Sequence, residues 1–200
     1  MLCELRRHLA LYPDGFFETF KDKNRGCGLR ILAVSELTMN AHASFATSAV
    51  FYRYFDWYNI MADVNEIISS TNTLPHELWH AVESKIWAEY FGSFYDRSWD
   101  NLNPDGFTGY FYDVENYQQM AEPWERYILE TGDDPYFVRS YSLVDPKEDR
   151  ATLIELLFNH YFGEDPVTSA EALASCPHLK AKLDYMAELV RKVFGTVYWE

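Results

Sequence analysis

A chain of 200 residues suits one domain with a real core, or two closely packed lobes. With 48% hydrophobic and 18% aromatic residues it is too apolar to be a disordered segment. The net charge of −14, from 31 acidic against 17 basic residues, argues against nucleic acid as partner, because phosphate binding needs a basic face; peptides or other neutral-to-cationic ligands fit better.

Three cysteines (Cys3, Cys27, Cys176) form no CxxC pair, so neither a disulfide framework nor a redox compartment can be read from them. No apolar run reaches transmembrane length, and Met1 to His8 do not read as a signal peptide; no membrane span is expected. Neither the compartment nor the oligomeric state is legible, and no repeat is present.

In chain order, 2–12 and 16–23 read as helical, separated by a turn at Pro13-Asp14-Gly15. The apolar run Leu29–Val34 reads as a buried strand, 44–52 as a weaker strand and Tyr58–Val64 as a better one. Polar residues from Ser69 to Thr73 form a turn and supply a cap for a helix over about Leu74–Tyr90. Pro75 falls in its first turn, where proline costs little, and Gly92 follows its end. Leu78, Val82, Ile86 and Tyr90 form its inward face. Residues 93–112 read as an irregular, aromatic connection, and 115–130 as a helix bent or ended at Pro123. After the turn Gly132-Asp133-Asp134-Pro135, Asp145 as N-cap and Pro146 in the first turn open a helix that runs to Tyr161 or Phe162. A packing helix spans about 178–194 with an apolar face of Leu179, Leu183, Met186, Leu189, Val190 and Val193.

The helix over 74–90 carries His76-Glu77-Leu78-Trp79-His80, an HExxH. On a helix the two histidines lie one turn apart on one face and both reach a single zinc ion, while Glu77 projects beside them as a general base. The bland alternative is a surface helix that happens to carry two histidines. Glu83 joins the metal face as a further candidate.

A catalytic zinc takes three protein ligands and keeps a position open. Position 86 is Ile86, which excludes a third histidine at the metzincin spacing. Glu148 is the leading candidate, in the first turn of a separate helix where small Ala151 permits close approach; its competing role is to close a capping box with Asp145. Glu122 and Glu125 are the next carboxylates, more simply read as a solvated face, and Glu155 is a candidate to orient a metal histidine. Asp105 and Asp113 read as turn residues, and His8, His42, His160 and His178 have no ligand-like spacing. Cys27, between Gly26 and Gly28, would make the Cys-plus-HExxH ligand set of peptide deformylases, whose other glycine-rich motifs are absent.

The pair His76-Glu77-Leu78-Trp79-His80 and Glu148-Asp149-Arg150-Ala151 resembles the gluzincin metallopeptidases. Within them it looks most like the group formed by the catalytic domain of anthrax lethal factor, the Pro-Pro endopeptidases and uncharacterised bacterial zinc peptidases. That resemblance implies Glu148 as third zinc ligand, as the first Glu of an E-x-x-A stretch. It also implies that Tyr141, seven residues earlier, points into the site. Where the group often has a second Glu four residues after the ligand, this chain has Thr152. The implied fold is α+β and zincin-like: a small mixed sheet with its last strand at the edge beside the HExxH helix, then a mostly helical lobe, divided at about 1–91 and 92–200. The implied activity is zinc-dependent hydrolysis of a peptide or protein substrate. Two rival readings stay open, a zinc amidase or deformylase-like hydrolase and a non-catalytic binding module of the same fold.

Overall fold

A computed structural model describes residues 2–22, 26–37, 49–70, 72–91, 96–162 and 173–199. It is a mixed α+β protein with a three-stranded sheet and several helices. The chain divides into two compact units, Met1–Phe91 with Val190–Glu200, and Gly92–Leu189. No helix among the described residues is long and apolar enough to cross a membrane.

In the first unit, α1 (Leu2–Leu9) leads through the turn at Gly15 to a 3-10 helix, Phe16–Phe20. Gly15 adopts φ 82°, a left-handed conformation that glycine enters without a Cβ clash. Three strands follow: β1 (Leu29–Val34), β2 (Ala49–Tyr54) and β3 (Trp57–Asp63). Their order is β1-β3-β2, with β1 parallel and β2 antiparallel to β3.

Two expectations are corrected here. The last strand before the HExxH helix is central, because β3 pairs on both sides; the edges are β1 and β2. Moreover, β1 is not a buried strand. It is paired on one side only, its residues are all half-buried or exposed, and Leu32 is 37% exposed. In β3, by contrast, Tyr58, Asn59, Ile60 and Ala62 are buried. The weak strand expected at 44–52 begins at Ala49, and 44–48 lie outside the described residues.

The β2–β3 connection is a two-residue hairpin, since Tyr54 pairs with Trp57. Such turns require φ > 0, which Asn-Gly or Asp-Gly sequences ordinarily supply. Here Phe55 takes φ 52°, exposed and stacked edge-on against Tyr54 at 4.6 Å. Beyond β3 the short helix α2 (Val64–Ser69) precedes α3 (Thr73–Ile86), which packs on β2 and β3. Leu78, Val82 and Ile86 are buried as the helical spacing predicts, Leu74 extends that stripe by one turn, and the Tyr90 side chain lies outside the described residues. Trp87–Phe91 continue as a π turn, a local widening of the helix that the sequence did not signal.

The second unit contains α4 (Arg97–Asp100), α5 (Tyr117–Ala121), 3-10 helices at Glu122–Tyr127 and Ser140–Leu143, and α6 (Pro146–Phe162). Helix α7 (Pro177–Phe194) has Pro177–Leu189 in this unit and its end in the first. The expected helix over 115–130 changes character near Pro123, which cannot donate an α-helical hydrogen bond.

The interior of this unit holds a polar knot. The Lys182 ammonium, 0% exposed, donates to Asp149 Oδ2 at 2.8 Å and to the Tyr136 carbonyl at 2.8 Å. Tyr110 donates to the same carboxylate oxygen at 2.7 Å and accepts from Trp99 Nε1 at 2.9 Å. Lys182 also lies 4.1 Å from the Phe137 ring centroid. Burial pushes the Asp149 carboxyl up and the Lys182 amine down, and their mutual attraction opposes both shifts. Removing one charge from such a pair leaves the other uncompensated. Lys182→Met keeps most of the aliphatic volume and is therefore expected to cost about 3–5 kcal/mol of unfolding free energy. Guanidinium unfolding followed by tryptophan fluorescence measures it, and an unshifted midpoint would show that the pair contributes nothing.

Candidate metal centre

The HExxH lies near the start of α3, so the register of that start decides where its side chains point. Asn72 occupies the N-cap position without capping through its side chain. The cap comes instead from Ser70, whose Oγ accepts from the Asn72 and Thr73 amides at 3.3 and 3.2 Å and meets Thr73 Oγ1 at 2.8 Å. Pro75 falls where no intrahelical N–H is required, and the His76 amide donates to the Asn72 carbonyl at 3.0 Å as the ladder begins.

From that register His76 and His80 project from one face. Their rings lie 4.7 Å apart between centroids at 82°, and their Nε2 atoms approach to 3.0 Å. A metal-free pair at this distance suits an Nε2–H···N hydrogen bond. A tetrahedral zinc with Zn–N of about 2.0–2.1 Å holds two nitrogens roughly 3.4 Å apart, so an ion replaces that proton with a ring adjustment of a few tenths of an ångström. The donor set therefore fits zinc. His76 and Glu77 are buried and His80 is half-buried. On the other side of His80, Nδ1 lies 3.9 Å from Glu83 Oε2, and Glu83 Oε1 accepts from Trp87 Nε1 at 3.2 Å.

Tyr141 and Glu148 belong to the second unit, on consecutive elements. Asp145 opens α6: its Oδ1 accepts from the Lys147 and Glu148 amides, at 2.6 and 3.1 Å. Glu148 thus occupies the first turn, half-buried, while its neighbour Asp149 turns inward to Lys182. The Ser140–Leu143 turn that carries Tyr141 is tied to α6 by Ser142 Oγ and Thr152 Oγ1 at 2.7 Å. Thr152 is fully buried and also donates to the Asp149 carbonyl at 3.0 Å. Thr152 therefore forms a hydroxyl joint between the tyrosine turn and the helix. Tyr141 packs edge-on against Tyr117 at 5.4 Å, with the Arg139 guanidinium 5.5 Å from its ring centroid.

The rival candidates sit as follows. Glu155 Oε1 accepts from Arg139 at 2.8 Å, within the second unit. Glu122 and Glu125 are exposed at an open depression also lined by Ile128 and Glu130. Cys27 is buried beside the Asp22–Cys27 bridge, and among the described residues no group of potential ligands joins it to the histidines. Asp113 accepts from the Glu115 and Asn116 amides and from the Asn116 side chain, and those bonds hold its carboxyl below the usual range. Asp105 is exposed in a turn. His8 is buried in α1, His178 stacks on Tyr136 at 3.7 Å, and His42 and the His160 side chain lie outside the described residues. Two arrangements escaped the sequence reading. One is Glu83 facing the far nitrogen of His80. The other is Asp149–Lys182, for which a lysine amid the apolar stripe Leu179, Leu183 and Met186 was an available signal.

No protein-family model, no curated protein and no solved structure matches this chain.

The first turn of α6 depends on one carboxylate. Asp145→Ala is expected to lower unfolding free energy by about 1 kcal/mol, the usual worth of such a cap. Urea unfolding checks this, and a variant as stable as the parent would show that the cap is dispensable.

Proposed function

We propose that the protein is a zinc-dependent metallopeptidase with a zincin-like fold, related to the gluzincins, in which His76, His80 and Glu148 hold the ion. The observation that carries this reading is the convergence of the two Nε2 atoms to 3.0 Å beside a buried Glu77. A helix buried on a mixed sheet, with HExxH in its first turns, supports the zincin-like assignment. The placement of Glu148 in a capped first turn, with Tyr141 on the preceding turn, matches the E-x-x-A half of the resemblance. A purely structural metal has no use for a general base, and the presence of Glu77 within the motif favours an enzyme over a binding module.

Zinc, when bound, supplies Lewis acidity that acidifies water and polarises a carbonyl oxygen. The protein's own groups do the rest. Glu77 takes the proton of the attacking water and passes it to the leaving amine, so it serves first as base and then as acid. Tyr141 donates a hydrogen bond to the oxygen on which negative charge develops, where such a donor is most effective. The substrate class is a peptide or protein, and the acidic surface suits neutral or basic segments.

The test pairs metal content with turnover of a degenerate peptide library read by mass spectrometry. The wild type is expected to bind one zinc and cleave. Glu77→Gln is expected to keep the metal and lose about 10²–10⁴-fold in rate; wild-type cleavage by that variant would sink the mechanism. Glu148→Ala is expected to lose tight zinc binding while Cys27→Ala retains it, and the reverse pattern would transfer the site to a deformylase-like ligand set.

A further inference from the structure

We propose that Glu83 is a positioning residue for His80: its carboxylate, anchored by Trp87, fixes the imidazole with the proton on Nδ1, so that the Nε2 lone pair faces the metal. The inference rests on the zinc reading above and adds a component that no motif contains.

Three residues of one helix face make the chain of contacts. His80, Glu83 and Trp87 stand at successive i+3 and i+4 positions, where side chains on an α-helix meet. A neutral imidazole carries one N–H, and a neighbouring group that can only accept selects which nitrogen holds it. Glu83 Oε2 lies 3.9 Å from His80 Nδ1, while Nε2 on the opposite side of the ring lies 3.0 Å from its counterpart on His76. The carboxylate therefore stands on the side of the ring turned away from the other histidine. That placement excludes Glu83 from the metal face on which the helical spacing alone had put it.

The carboxylate is itself held. Glu83 is 4% exposed, and Trp87 Nε1 donates to its Oε1 at 3.2 Å. A buried carboxylate without compensation is costly, so this bond lowers the cost of keeping Glu83 ionised next to His80. Trp87 is also where the helix widens into its π turn, a feature often found where a helix meets a functional demand. At 3.9 Å the two groups are an ion-pair distance apart, and this gap must shorten to a hydrogen bond when His80 is drawn onto an ion.

The experiment measures zinc affinity by competition with a chromogenic chelator, together with long-range ¹⁵N–¹H spectra of the imidazoles. In the zinc-loaded wild type, His80 is expected to carry its proton on Nδ1. Glu83→Gln keeps the shape and an acceptor for Trp87 but loses the charge and the acceptor-only character. It is expected to bind zinc about 10–100-fold more weakly, with unchanged circular dichroism. Trp87→Phe, which removes the anchor and keeps an aromatic ring in place, is expected to weaken binding several-fold and decides the matter if Glu83→Gln fails to fold. Wild-type affinity in the folded variants, or a His80 that binds zinc through Nδ1, overturns the proposal. If His76→Ala and His80→Ala abolish zinc binding while Glu83→Gln leaves it untouched, this inference fails and the metallopeptidase reading stands. If the wild type binds no zinc, both fall.

Discussion

The constraint from which the functional reading follows is that α3 carries four titratable side chains, His76, Glu77, His80 and Glu83, that are buried or half-buried. Polar groups out of water must find partners or lose their charge, so each must face another polar group. The helix meets this demand through its own periodicity. His76 meets His80 one turn on, His80 meets Glu83, and Glu83 meets Trp87. These contacts lie within the helix and would survive its rolling on the sheet, but a roll would change where the imidazoles point. The apolar stripe Leu74, Leu78, Val82 and Ile86 prevents that roll, so hydrophobic packing on one face sets the aim of the imidazoles on the other.

The second unit solves a comparable problem differently. Successive acidic residues at the start of α6 are given different environments. Glu148 is half-buried in a turn capped by Asp145, whereas Asp149 is sealed inside against Lys182 and Tyr110. The interior pair pins the rotation of α6 about its axis, because turning the helix would pull Asp149 off a cation that has no other carboxylate bonded to it among the described contacts. Thr152 then pins the neighbouring 3-10 turn to the same helix through Ser142. Tyr141 and Glu148 are thus carried on two elements bonded to each other, and the polar groups that join and orient them are ones a hydrophobicity pattern counts as errors.

What the sequence conveyed well was short-range. The starts of α3 and α6, the end of α6 and the extent of α7 follow from caps, prolines and a 3.6-residue apolar period, all within a few residues of the feature they determine. The strand segments β1 and β3 were also legible, but their arrangement was not. Placing β3 between β1 and β2 depends on which strands pair, a non-local choice without a local signature. The hairpin that decides it turns through Phe55 at positive φ, a residue that no turn rule would select. The shortfall in burial of β1 has the same origin, because an apolar run reads alike at an edge and at the centre of a sheet.

The contrast explains why the proposed metal ligands are more readable than the fold that holds them. His76 and Glu148 both lie within the first turns of their helices, each downstream of a side-chain oxygen cap and a proline. In a first turn the backbone amides are not yet committed to the ladder, so a cap a few residues upstream sets the helix register directly. Ser70 does this for the histidines and Asp145 for the glutamate. The direction of each of these side chains is thereby encoded within its own helix and the cap just upstream, and a motif reader needs no knowledge of the sheet to find it. What lies beyond that range, such as the carboxylate of Glu83 behind His80 or the lysine behind Asp149, belongs to the support of the site, and support becomes visible only when the helix is folded and its faces can be told apart.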